Sequence, residues 1–159
     1  MIQDSGTRRT FDTGAVRDIQ EGKGRCDLLP LDMIAILLNN PTFAHIDNFV
    51  AEGHPQHLFN ALKYCGLYSD YPTMILEVSK HFEEGAAKYG ENNWQKGIPV
   101  KCYIDSAVRH YIKHLRGDND ENHARAFVWN ILTAAWTCEH YPSLNDYLSG
   151  GNDESTTEP

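Results

Sequence analysis

In the stretch LEVSKHFEEGAAKYGENNWQKG, residues 76–97, the side chains Glu77, His81, Glu84 and Lys88 recur at i, i+4, i+7 and i+11. That spacing holds them to one narrow face of a helix. Two carboxylates, an imidazole and an ammonium on one face suit a metal and phosphate site. They equally suit a solvated surface on which Glu84 and Lys88 form a plain i, i+4 ion pair. A second titratable group follows: His110 and His114 stand one turn apart beside Arg109, and Asp118, Asp120, Glu121 and His123 crowd the next turn. The HxxxH spacing lacks the intervening glutamate of a metalloprotease helix, and the acidic run also serves as material for a helix N-terminus. Asn130, inside FVWNILTAAW, is an amide among apolar residues and must find buried partners. In NNW, Trp94 is an indole suited either to stacking on a planar ligand beside Asn93 or to anchoring its loop in the core.

No GxxxxGK[ST], GxSxG, GxGxxG or adjacent His-Asp pair occurs. Nucleophilic catalysis therefore has no candidate, and the chemistry left open is attack by metal-activated water. Carboxylates and imidazoles projecting from facing helices are how helical bundles build such sites.

The elements that must carry these residues are helical. Apolar residues at three and four spacing predict helices from about Leu28 to Asn39, Thr42 to Ala51, Gln56 to Leu67, Pro72 to Tyr89, Val100 to Arg116 and His123 to His140. The first reads as a short buried helix with a proline in its opening turn. GENNWQKGIP is a loop, and GDNDEN supplies turn and capping residues before the last helix. No segment shows strand alternation. The expected fold is all-α, a helical bundle, with residues 1–21 a flexible arm, 22–147 a single domain and 148–159 a disordered acidic tail.

At 159 residues and 41% hydrophobic content the chain supports one core. Four cysteines without a CxxC pair read as buried thiols of a reducing compartment. No stretch reaches the roughly 18 apolar residues of a membrane span, and no apolar leader is visible, so a cytoplasmic protein without a membrane partner is expected. A net charge of −8 opposes sustained binding to a nucleic acid polymer. It is compatible with a compact phosphate ligand bridged to carboxylates by divalent ions.

The ordered blocks GKGRCDLLP (22–30), EGAAKYGENNW (84–94), RHYIKH (109–114) and DENHARAFVWN (120–130) resemble the phage and bacterial dATP/dGTP diphosphohydrolase family. That family is similar to the all-α nucleoside triphosphate pyrophosphatases of the MazG type. The resemblance implies a MazG-like bundle that uses Mg²⁺, or Mn²⁺, to convert purine deoxynucleoside triphosphates, dGTP or dATP, to monophosphate and pyrophosphate, adjusting a deoxynucleotide pool. The strict EExxE and ExxD signatures of the MazG type are absent. The resemblance assigns Glu77, Glu84, Asp120, Glu121 and His123 to the metal, with Glu84 also orienting water. It gives Lys88 and Arg109 catalytic charge neutralisation, and it gives Lys23, Arg25, Asn93, Trp94, His110 and Asn130 contact with substrate. It also implies a homodimer or homotetramer, for which Phe127, Trp129 and Trp136 on several faces of one helix would supply apolar surface. A triphosphohydrolase and a non-catalytic nucleotide-binding module are the alternatives.

Overall fold

The computed structural model describes residues 1–148, so the acidic tail expected from residue 148 lies, but for its first residue, outside the described residues. Six α-helices make up most of the described chain: α1 (Leu31–Leu38), α2 (Pro41–Glu52), α3 (Gln56–Tyr64), α4 (Tyr71–Tyr89), α5 (Val100–Arg116) and α6 (His123–His140). The fold is all-α, as the periodicity implies. Helix starts follow local chemistry. The Asp70 side chain accepts from Thr73 N to open α4, and Asn122 accepts from Arg125 N to open α6, each capping an otherwise unpaired amide.

α5 and α6 form the central antiparallel pair, with α4 and α3 against α6, α2 on α3, and α1 on α2. The aromatic centre of the core is Tyr111, which stacks on Phe127 at a centroid distance of 4.7 Å and meets Phe43 at 5.3 Å. All four cysteines are free thiols, three of them buried. Among the described residues, no helix is long and apolar enough to cross a membrane.

Two expectations are corrected, on α1 and on the apolar surface of α6. Within residues 1–21, expected as a flexible arm, β1 (Arg8–Thr10) and β2 (Val16–Asp18) form an antiparallel hairpin around Gly14, with Ala15 fully buried. The hairpin is docked by side chains. Asn93 accepts from Val16 N at 2.8 Å and donates to Val16 O at 2.8 Å, so its amide completes the free edge of β2 as another strand would. Helix α1, expected to be buried, sinks Leu31 but exposes Ile36 at 73% and Leu37 at 80%; apolar residues all round a helix signal burial only where a partner covers each face. Phe127 is instead fully buried, while Trp129 and Trp136 pack against other aromatic rings, so these three do not supply the spare apolar surface.

Candidate functional site

A cavity of about 680 Å³ opens between the hairpin, α4, α5 and α6. The bundle supplies one wall and the N-terminal segment the other. Asp105, buried in α5, binds them together: it accepts from Cys26 N at 2.7 Å and Gln20 Nε2 at 3.0 Å, and it pairs with Arg109. Arg109 in turn donates to the carbonyls of Lys23 and Gly24, each at 3.1 Å. The GKGR segment therefore lies along α5 because one carboxylate and one guanidinium saturate its backbone.

At the end where α5 meets α6, two imidazoles converge. His110 Nδ1 lies 3.0 Å from His123 Nδ1, and Glu121 Oε1 lies 3.4 Å from the first and 3.8 Å from the second. Burial, with His123 next to it, pushes His110 well below the ordinary imidazole range, so that ring is unprotonated at neutral pH. His123 Nε2 is 2.7 Å from Asp120 Oδ1, and this bond, ahead of the nearby Lys113, holds the Asp120 carboxyl down at about 2. A carboxylate at Nε2 favours the proton on that nitrogen, which makes His123 Nδ1 the acceptor of the 3.0 Å bond from His110 Nδ1. His110, Glu121 and His123 together could hold a cation, as could Asp118, Asp120 and His123. The second grouping is already engaged, since Asp118 is gripped by Arg116 and Asp120 by Lys113 and His123.

Not every residue assigned from the sequence reaches this place. Glu77 and Glu84 lie outside the cavity lining and converge instead on Arg125, at 3.1 Å and 3.5 Å, with Lys80 also on Glu77. The group across from these two carboxylates is a guanidinium of α6. Lys88 does not pair with Glu84. Its ammonium donates to the Gln3 carbonyl, lies 3.8 Å from Asp4 and sits over the Tyr89 ring. Arg25 is bound to its neighbour Asp27 and half exposed beside a shallow surface formed by residues 20–25, away from the main cavity. His114 is exposed, so the HxxxH spacing does not make a site, and His110 pairs across helices.

Lys23, Arg109, His110, Trp94, Asn93 and Asn130 do line the cavity. Asn93 is committed to Val16, however, and does not have its amide free for a ligand. Trp94 makes edge-to-face contacts with Phe82 and Trp136, and the first two rings form an aromatic wall. The buried Asn130 donates to Ala126 O and accepts from Arg17 Nη2 at 3.1 Å, the partners its burial required. Sequence reasoning missed Arg9, Arg17, Gln20, Asp105 and Lys113. The first three lie in a hairpin and a connecting segment that have no periodic signal, and Asp105, on α5, finds its partners in that segment. Over the whole cluster lies the N-terminus, where Gln3 N donates to Glu121 Oε2 at 3.1 Å.

Comparison with known families gives one result. Residues 55–147, more than half of the chain, match the family model described as dATP/dGTP diphosphohydrolase, N-terminal. The match runs from the start of α3, through α6, to residue 147 and leaves out the hairpin and GKGR segment. No curated protein and no solved structure matches the chain.

Proposed function

The chain belongs to the dATP/dGTP diphosphohydrolase N-terminal family, and from that premise we infer that it hydrolyses purine deoxynucleoside triphosphates between the α and β phosphates. Water and dGTP or dATP give the deoxynucleoside monophosphate and pyrophosphate. The observation that supports this most is the convergence, on one cavity, of His110 and Glu121 from the cation-holding group, the five basic side chains Arg9, Arg17, Lys23, Arg109 and Lys113, and an aromatic wall.

The donor set fits a divalent cation. His110 and His123 offer ring nitrogens that are hydrogen-bonded to one another and would exchange that bond for a cation, Glu121 offers a carboxylate oxygen, and Asp120 fixes the His123 ring from behind. Two imidazoles suit Mn²⁺ better than Mg²⁺, which prefers oxygen alone. Such a cation, when bound, polarises phosphate oxygens and lowers the pKa of water.

The chain's own residues do the remainder. Lys23, Arg109 and Lys113 line the cavity and neutralise the phosphates, Arg109 being held in place by Asp105. Glu121, between the rings and the cavity, takes the water-orienting role first given to Glu84. Phe82 and Trp94 receive the base. Glu77 and Glu84 position Arg125 and stabilise the approach of α4 to α6. Copies of the chain associate through the exposed apolar surface of α1, where Met33, Ile36 and Leu37 stand uncovered among the described residues, with Leu28 just before the helix. Turnover of dGTP and dATP in preference to dCTP and dTTP, lost on chelation and restored by Mn²⁺, is the expected result. Equal turnover of all four, or turnover unaffected by chelator, would count against the reading.

A further inference from the structure

Arg9 and Arg17 are register partners on opposite strands of the hairpin, and both line the cavity. Like charges directly across a strand pair destabilise it, and a charge removed from water is costly unless an opposite charge meets it. Among the described residues, neither guanidinium forms an ion pair within 4.0 Å. The partners they do have are neutral. Arg17 Nη2 donates to Ser106 Oγ and Asn130 Oδ1, each at 3.1 Å, and its guanidinium lies over Tyr103 and Trp129. Arg9 Nη1 donates to Gln20 Oε1 at 3.0 Å. Arg9 Nε and Arg17 Nη1 are buried without any partner.

The other basic groups of the cavity are matched: Lys23 by Asp18, Arg109 by Asp105 and Lys113 by Asp120. The fold thus retains two opposed cations in one wall, oriented by neutral groups and not neutralised. Burial lowers the pKa of Arg17, yet a guanidinium starts so high that it stays charged at neutral pH.

We propose that Arg9 and Arg17 form a two-pronged binding site for a phosphate-class oxyanion, the hairpin closing on it from the side opposite α5 and α6. Two guanidiniums side by side on one face of the hairpin suit a tetrahedral, multiply charged group, to which each presents N–H donors. That this oxyanion is part of the substrate's phosphate chain rests on the function proposed above, whereas the site itself rests only on the hairpin. It places a substrate contact in a segment outside the part of the chain matched by the family model.

The test is calorimetric titration of the whole chain with inorganic pyrophosphate in the presence of chelator, so that neither metal nor turnover enters. Wild type should bind, and Arg17→Gln and Arg9→Gln should each weaken binding at least about tenfold, with Lys63→Gln on the exposed side of α3 unchanged. Should Arg17→Gln fail to fold, Arg9→Gln carries the same test from the other strand. Should neither fold, the side-chain Nε resonances of both arginines in wild type must shift on adding pyrophosphate. No binding by wild type, undiminished binding by the variants, or unmoved arginine resonances would overturn the proposal. Pyrophosphate binding through this pair in a protein that releases no monophosphate would instead remove the proposed function and leave the site standing.

Discussion

His110 on α5 and His123 on α6 face each other nitrogen to nitrogen, Nδ1 to Nδ1 at 3.0 Å, with the Glu121 carboxylate beside both. Two helices are needed to make this contact, and the turn between them, capped by Asn122, brings Asp120 behind the His123 ring. The arrangement has the form of a carboxylate-oriented imidazole site.

The first prediction follows from its donors. Isothermal titration should show Mn²⁺ bound at least about tenfold more tightly than Mg²⁺, because imidazole nitrogen favours the former. Glu121→Gln and His110→Ala should abolish that preference. Turnover in Glu121→Gln should fall about a hundredfold or more, while Glu84→Gln should stay within severalfold of wild type. The reverse pattern would return the chemistry to α4.

His81 supplies a pH dependence. Buried beside Trp129, with Arg125 and Arg17 adding repulsion, its imidazole is pushed down to about 4 from an ordinary 6.5. Between those values the unfolded chain holds a proton that the folded chain does not, so stability is full above about 6.5 and falls as the pH drops towards 4. The loss from this residue is at most about 3 kcal/mol. Urea midpoints of His81→Gln should decline less steeply than those of wild type over that window; parallel curves would refute the assignment.

Asn93 behaves as a piece of strand. Replacing it with alanine removes both bonds to Val16 and should cost about 1–3 kcal/mol in denaturant unfolding, with amide exchange accelerating first in residues 8–18. A base-reading role would predict altered dGTP over dATP preference with stability unchanged.

The exposed face of α1 should hold copies together. Light scattering should give an oligomer for wild type and a monomer for the Ile36→Glu, Leu37→Glu double variant, whose helix content should be retained because both side chains are exposed. A wild-type monomer at micromolar concentration would remove this surface from the account.

The long helices were legible because periodicity is a local property. Val100 to Arg116 and His123 to His140 were read from the sequence with the bounds that the structure shows. The cavity was legible in part, as His110, Glu121, Arg109 and Lys23 line it and His123 lies buried behind His110. What could not be read were facts of tertiary contact. Glu77 and Glu84 share a face, but nothing in their spacing says that Arg125 lies opposite. The hairpin was invisible because its strands are three residues long and place arginines, not apolar residues, on the face turned to the protein. α1 was misread for the converse reason, since apolarity alone does not show whether anything covers a helix.

The most direct test of the central claim is the identity of the products. Phosphorus NMR of dGTP incubated with the protein and Mn²⁺ should show dGMP and pyrophosphate rising together in equal amounts, with no dGDP. Release of intact triphosphate with deoxyguanosine, release of dGDP with orthophosphate, or an unchanged nucleotide spectrum would each contradict cleavage between the α and β phosphates.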